Sequence, residues 1–156
     1  MNAEPAREAL EEALAVLHEL GDRHGTAQVL RHLGLLSLED DTASAARLAC
    51  QALALFDEVG DVDGVARCLQ DLARIAFDHH EPVRAARLLG ASAGFRERFR
   101  IVAPYPERRA YEDCLVAVGR ALGTSHLYEA LAVGQELDRE QTLVFALGPE
   151  ALLSEP

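Results

Sequence analysis

Apolar residues recur along this chain at intervals of three and four, the spacing that places them on one side of an α-helix. In residues 23–38 the stripe consists of Ala27, Leu30, Leu33 and Leu36. An acidic run follows at 39–41, after which a new stripe begins. The chain is therefore predicted to be all-α, with helices at 4–20, 23–38, 43–59, 62–78, 82–98, 107–122, 125–136 and 138–147 and a loop at 99–106.

Residues suited to helix ends stand between the predicted helices. Gly21 and Gly60 occupy the position where a left-handed residue commonly ends a helix. Pro82 fits the first position of the helix that follows it. Asp138 and Gln141 have the spacing of a capping box. These signals support the helix bounds independently of the apolar pattern.

The sequence also matches itself at a fixed offset. An offset of 39 residues aligns ALAVLHELGD at 13–22 with ALALFDEVGD at 52–61. After an insertion of one residue, AARL at 45–48 matches AARL at 85–88. Such self-similarity is typical of stacked helical repeats with two helices per unit. We expect one domain over 1–156, with helix pairs at 4–98, a loop at 99–106, a non-repeating helical cap at 107–147 and a tail at 148–156.

Small residues stand at corresponding positions of the two units. The 39-residue offset pairs Gly34 with Ala73 and Ala46 with Ala85. The distance between two packed helices depends on the side chains at their crossing. Glycine and alanine are therefore expected where the helices of one unit cross.

Leu33-Gly34 and Leu72-Ala73 resemble the Leu-Gly or Leu-Ala pair of the tetratricopeptide repeat (TPR). With these pairs aligned, Ala46 and Ala85 fall at the central alanine of the TPR motif. The period of about 39–40 residues is similar to that of MalT-like TPR repeats. This resemblance implies an α-α superhelix in which the first helix of each unit lines a concave groove.

The remainder of the chain carries a second resemblance. AARLLGASAGFRERF at 85–99, YPERRAYEDCLVAVGRALG at 105–123 and LYEALAVGQELDREQTLVFAL at 127–147 resemble the C-terminal end of large bacterial LuxR-type and AfsR-like transcriptional regulators with signalling ATPase domains. In that family the segment closes a sensor or protein-interaction repeat array. The resemblance implies a sensor or scaffold arm, without the nucleotide-binding or DNA-binding parts of the family.

The charged residues exclude several kinds of function. There are 26 acidic and 15 basic side chains, and the net charge of -11 disfavours direct binding of nucleic acid through its phosphates. Every basic residue is arginine. A Walker A loop, a Schiff base and a pyridoxal-phosphate anchor all need a lysine ammonium group. We therefore expect a non-enzymatic protein with no cofactor.

Metal-binding and secretion signals are also missing from the sequence. The six histidines do not form HExxH or a cluster with Cys at ligand spacing, so structural or exposed roles are expected in preference to metal binding. The stretch Gly90-Ala-Ser-Ala-Gly94 follows a helical pattern rather than a strand, which favours close helix packing over a phosphate loop. No apolar run is long enough to cross a membrane, and the acidic N-terminus is unlike a signal peptide, so a cytoplasmic protein is expected.

The TPR resemblance also implies a set of groove residues. Positions 2, 5 and 9 of each first helix face the groove, counted from Ala27 and Ala66. Arginine can hold a carboxylate through two parallel hydrogen bonds, so a protein or acidic peptide is the expected partner. Two alternatives are that these arginines pair with the chain's own acids, and that a small-molecule effector occupies the groove. The partner-binding candidates are Gln28, Arg31, Leu35, Arg67, Gln70 and Arg74.

The phase of the repeat draws attention to the N-terminal helix. By the 39-residue offset, 4–20 corresponds to 43–59, the second helix of a unit, and no first-helix partner precedes it. One apolar side of 4–20 should then lack its usual neighbour. We expect this edge, formed by Leu10, Leu14 and Leu17, to be covered by a homodimer contact, by a partner or by an upstream domain.

Overall fold

A computed structural model of the protein describes residues 4–148. Within that range the chain forms α-helices and no β-strand, which confirms the predicted all-α class. Every helix begins and ends within two residues of its predicted bounds. The helices are α1 (Glu4–Leu20), α2 (Arg23–Ser37), α3 (Thr42–Glu58), α4 (Val62–Asp78), α5 (Pro82–Phe99), α6 (Tyr105–Leu122), α7 (Thr124–Gln135) and α8 (Arg139–Leu147).

None of the helices in residues 4–148 combines the length and the apolar character needed to cross a membrane.

The predicted loop at 99–106 is shorter than expected, because α5 continues to Phe99 and α6 begins at Tyr105. Arg100 ends α5 in the left-handed conformation, with φ of 54°.

Side-chain caps account for several helix starts. Asp22 accepts a hydrogen bond from the Gly25 N–H at 2.9 Å and so satisfies one free donor at the start of α2. Asp41 accepts from Ser44 at 3.0 Å at the start of α3. The predicted capping box is present at α8, and Pro82 occupies the first turn of α5 as expected.

The turns before α2 and α4 have the same geometry. Gly21 and Gly60 are left-handed, with φ of 68° and 74°. The Gly21 N–H donates to His18 O at 3.1 Å, and the Gly60 N–H donates to Asp57 O at the same distance. Both glycines thus end a helix in the predicted way.

The chain divides into two compact units within α4, the first ending at Cys68 and the second beginning at Leu69. In the first unit α2 packs against both α1 and α3. A Cβ added at Gly34 would lie 3.4 Å from Ala45 O and 3.4 Å from the Leu48 Cβ, so Gly34 does mark the α2–α3 crossing.

The partner alanine at that crossing differs from the predicted one. Ala45 is fully buried, whereas Ala46 is only half-buried. The expectation for Ala46 was therefore wrong by one residue. The AARL match pairs Ala45, not Ala46, with Ala85, which is also fully buried. The one-residue insertion between the units is the reason.

In the second unit α5 packs against α6, α7 and α8. Nine of the 18 residues of α5 are buried, among them Leu88, Leu89 and Phe95. A Cβ added at Gly94 would lie 2.6 Å from the backbone oxygen of Gln135 in α7. The close packing predicted from the Gly90–Gly94 stretch is therefore confirmed.

Candidate functional site

A polar cavity of about 340 Å³ lies within the first unit. It is bounded by one side of α2, the C-terminal half of α3, and the turn and first residues of α4. The residues lining this polar cavity are His24, Gln28, Arg31, His32, Phe56, Asp61, Asp63, Gly64 and Arg67.

Helix α2 supplies four of these side chains because of their spacing. His24, Gln28 and His32 follow one another at four-residue intervals, and Arg31 lies beside them on the same side of the helix. Gln28 and His32 are exposed, whereas Arg31 is half-buried. The cap formed by Asp22 sets the start of α2 and thereby places His24 in its first turn.

Asp61, which lines the cavity, contacts both α2 and the start of α4. Its Oδ2 lies 2.8 Å from Nε2 of His24, which acts as the donor because a carboxylate can only accept. Its Oδ1 accepts from the Gly64 N–H at 3.0 Å, as an N-cap residue does. The His24 ring also meets the Phe56 ring edge-on, with 5.8 Å between centroids and 72° between planes. One carboxylate therefore ties α2 to the start of α4.

The surroundings of Asp61 favour its ionised form. Burial by itself would raise the pKa of this carboxyl group. The hydrogen bonds from Gly64 and His24 outweigh that effect, so the pKa lies below its usual value of 3.8. Asp61 is therefore negatively charged at neutral pH.

Gly64 is needed because of the Phe56 ring. A Cβ at this position would overlap the ring carbons of Phe56, which is 3% exposed. Leu17 and Gly25 make a related contact one unit earlier, where an added Cβ would lie 2.8 Å from the Leu17 Cδ2. In both places the glycine lets an apolar side chain from the preceding helix lie against the helix start.

The cavity contains charges of both signs. Asp63 and Arg67 form an ion pair one turn apart in α4. Arg31 adds a second guanidinium, and Asp61 adds a second carboxylate held by His24. A guanidinium carries five N–H donors, so an arginine that already pairs with one carboxylate can still bind another. The arrangement can hold a carboxylate between two helices.

Three of the six partner-binding candidates, Gln28, Arg31 and Arg67, line this cavity together. Leu35 is half-buried further along α2 and lies outside the lining given above. Gln70 and Arg74 belong to the second unit. The Gln70 side chain is 7% exposed and its Nε2 donates to Glu107 O at 2.9 Å, so this amide contributes to packing. Arg74 is exposed, and its Nε lies 4.0 Å from Oδ2 of Asp78.

The predicted self-association edge is only partly accessible. Leu10, Leu14 and Leu17 are all half-buried, and Leu17 lies against Gly25 at the start of α2. The large apolar side chains that α1 exposes are Val16, which is 54% exposed, and Leu20, which is 74% exposed. Self-association through α1 stays a prediction, and Val16 and Leu20 are the better residues with which to test it.

Sequence reasoning missed His24, His32, Asp61 and Asp63 as cavity residues. The four-residue interval from His24 through Gln28 to His32 was a usable signal, since it places polar side chains along one side of a helix. The contribution of Asp61 depends on where α4 begins relative to α2. That relation is not visible in local spacing.

The described residues hold no group of three or more His, Cys, Asp or Glu side chains placed to bind a metal ion. All three cysteines are free. Burial, together with the nearby Asp78 carboxylate, raises the pKa of the Cys114 thiol to about 11. Cys114 is therefore protonated at neutral pH and unsuited to nucleophilic attack.

Comparisons with known proteins return no match: none of the protein-family models, the curated proteins or the solved structures matches this chain.

Proposed function

We propose that this chain is a helical-repeat interaction module that binds an acidic segment of a partner protein in the polar cavity. The observation that carries the proposal is the convergence of Gln28, Arg31 and Arg67 on one cavity. These residues come from two helices separated by α3, so their meeting is a property of the fold. Each offers N–H donors, and a carboxylate is the group that such donors hold best.

The matching turns before α2 and α4 support the repeat part of this proposal. Asp22 and Asp61 cap their helices at 2.9 and 3.0 Å, with Gly25 and Gly64 as the donors. Leu17 and Phe56 then lie against those same two glycines. Each pair of residues is separated by the 39-residue offset seen in the sequence.

The wider role follows from the resemblance to bacterial regulators. A TPR-like arm of the MalT-like type would serve such a regulator as a sensor or scaffold, binding another protein without performing a reaction. The acidic overall charge of -11 suits that role, because it opposes unspecific attachment to nucleic acid.

A binding assay with a defined probe tests the proposal. A fluorescein-labelled peptide with several Asp and Glu residues is titrated with the wild-type chain and with Arg31→Ala/Arg67→Ala. Hydrogen bonds to charged groups contribute about 1.5–3 kcal/mol each, so we expect the affinity to fall at least about tenfold. Arg47→Ala, an exposed arginine of α3 that does not line the cavity, is the matched control.

A second peptide, in which every Asp and Glu is replaced by Asn or Gln, keeps nearly the same shape but lacks the negative charge. Comparing the two affinities shows how much the charge contributes to binding. Equal affinity for both probes, or unchanged affinity of the double variant, would refute the proposal. Circular dichroism of both variants confirms that the helices remain folded.

The cavity volume favours a second candidate, a small acidic effector. About 340 Å³ lies at the lower end of the volumes that small-molecule sites occupy. Thermal unfolding in the presence of short dicarboxylic acids tests this alternative. A rise in melting temperature that Arg31→Ala/Arg67→Ala removes, combined with no binding of the acidic peptide, would favour the effector over the protein partner.

A further inference from the structure

The first unit has a second concave surface, which we call the α1–α3 cleft. It is an open groove of about 870 Å³ formed by the C-terminal half of α1, the N-terminal half of α2 and the C-terminal half of α3. It is built from different side chains than the polar cavity.

The inside of this cleft is apolar. Leu30 of α2 lines the cleft and is buried. Leu14 of α1 and Leu55 of α3 are half-buried on the two walls, and Ala15 and Ala54 are exposed. Because none of the described residues of α1 is buried, that helix leaves its side of the groove open. Apolar side chains of a ligand would gain free energy by displacing water from these walls.

The rim of the cleft is acidic. Glu11, His18 and Glu19 line the cleft from α1, and Glu58 lines it from α3. Arg23 forms an ion pair with Glu58, so that these two charges compensate each other. Glu11 and Glu19 then give the rim a net negative charge, and a ligand that follows the groove must present positive charge beside its apolar face.

We propose that the α1–α3 cleft is a second docking site, which binds an amphipathic helix with basic flanks from a partner protein. From Glu11 to Glu19 the α1 wall measures about 12 Å at a rise of about 1.5 Å per residue. This length matches roughly two helical turns, so a bound helix would insert apolar residues at i, i+3 or i+4, and i+7.

Two other occupants fit the cleft less well. An extended peptide gains affinity by adding to the edge of a sheet, and all three walls are helices whose backbone groups are already bonded. Anionic lipid headgroups are repelled by Glu11 and Glu19. Together with the function proposed for the polar cavity, this second docking site would let one unit recognise two partner segments of opposite charge.

Fluorescence anisotropy with a designed peptide tests this proposal on the full chain. The probe is a labelled helix with Leu at i, i+3, i+4 and i+7 and Lys on both flanks, and the comparison peptide has Glu in place of Lys. We expect saturable binding of the Lys peptide and much weaker binding of the Glu peptide. The variant Glu11→Gln/Glu19→Gln should weaken the Lys peptide about threefold to tenfold.

Matched variants locate the binding surface. Glu8→Gln/Glu12→Gln removes two exposed charges from the same helix outside the cleft, and it should leave the affinity nearly unchanged. Ala54→Arg places a long cationic side chain at an exposed position of the cleft and should abolish binding. Arg31→Ala/Arg67→Ala should bind the Lys peptide normally, which separates this proposal from the function proposed for the polar cavity.

The same measurements can overturn the proposal. Equal binding of the Lys and Glu peptides, no binding of the Lys peptide, or full binding by Ala54→Arg would each do so. Sedimentation of the free protein is the remaining check. A dimer that forms with rising concentration and is lost in Ala54→Arg would assign the cleft to a second copy of the chain instead.

Discussion

The α2–α3 contact of the first unit and the α5–α7 contact of the second unit bring helices together in different ways. At Gly34 in α2, an added Cβ would make ordinary contacts of 3.4 Å with Ala45 and Leu48. At Gly134 in α7, an added Cβ would overlap the backbone oxygen of Arg87 in α5. An added methyl group therefore fits between α2 and α3, whereas between α5 and α7 it would have to displace the backbone of α5.

The two units also differ in the burial of their helices. Backbone contact excludes side chains from the crossing, and it accompanies a helix, α5, of which half the residues are buried. In the first unit, by contrast, α1 contributes no buried residue among those described. Both surfaces for which we propose a ligand, the polar cavity and the α1–α3 cleft, lie in the first unit.

The largest effect is expected from Gly134→Ala. The added methyl group must displace the backbone of α5, since no flexible side chain is available to move. We expect the free energy of unfolding to fall by at least about 3 kcal/mol, measured by urea titration with circular dichroism.

Gly119→Ala in α6 is the control for Gly134→Ala. Its added methyl group would meet only the Leu127 Cδ2, at 3.0 Å, and the end of that side chain can rotate away. This variant should change the free energy of unfolding by less than about 1 kcal/mol. If both variants unfold at the same urea concentration, the backbone contact does not hold the second unit together.

A smaller effect, confined to the first unit, is expected from Asp61→Asn. The depressed pKa of Asp61 means that its charged form stabilises the fold above the usual pKa of 3.8, and this stabilisation is lost as the pH falls through the lower folded-state pKa. Asparagine can still accept the Gly64 hydrogen bond but carries no charge for His24. We expect a loss of about 1 kcal/mol at neutral pH.

Unfolding measured between neutral pH and about pH 2.5 completes the test of Asp61. The difference between wild type and Asp61→Asn should shrink towards zero at the acidic end, because the wild-type carboxyl group becomes protonated. Asp113→Asn, which removes an exposed ion-pair partner of Arg109, should show little difference at any pH. A constant gap between wild type and Asp61→Asn would show that the carboxylate charge is not responsible.

The smallest effect, and one of opposite sign, is expected from Gly34→Ala. The site has room for a methyl group, and alanine favours a helix interior over glycine by about 0.5–1 kcal/mol. The corresponding residue of the next unit is already alanine, Ala73. We expect a gain of about 0.5 kcal/mol in the free energy of unfolding. A loss larger than about 1 kcal/mol would mean that α2 and α3 are packed as tightly as α5 and α7.

The helices and their ends could be predicted from the sequence because they depend on neighbours within a few residues. The apolar stripe of 23–38 and the left-handed glycines Gly21 and Gly60 act through local hydrogen bonds and side-chain spacing. The close packing of α5 against α7 at Gly90 and Gly94 could also be predicted, because two glycines four residues apart leave one side of a helix without side chains.

Three of the nine residues that line the polar cavity could be predicted, from the TPR resemblance. Gln28, Arg31 and Arg67 stand at positions that face the groove in the TPR motif, and they line one cavity. Gln70 has the equivalent register in α4 but is buried against Glu107, a contact 37 residues away in the chain. Register predicts the direction of a side chain. It does not predict which other residues that side chain will contact.

The tertiary structure alone decided which side chains meet. The pairing of His24 with Asp61, the burial of Ala45 in place of Ala46, and the acidic rim of the α1–α3 cleft all depend on how far one helix is displaced along another. That displacement is set by packing between residues distant in sequence, where a shift of one residue moves a side chain by about 100° around the helix axis. Local periodicity determined the helices, and only their packing determined the surfaces that can bind a ligand.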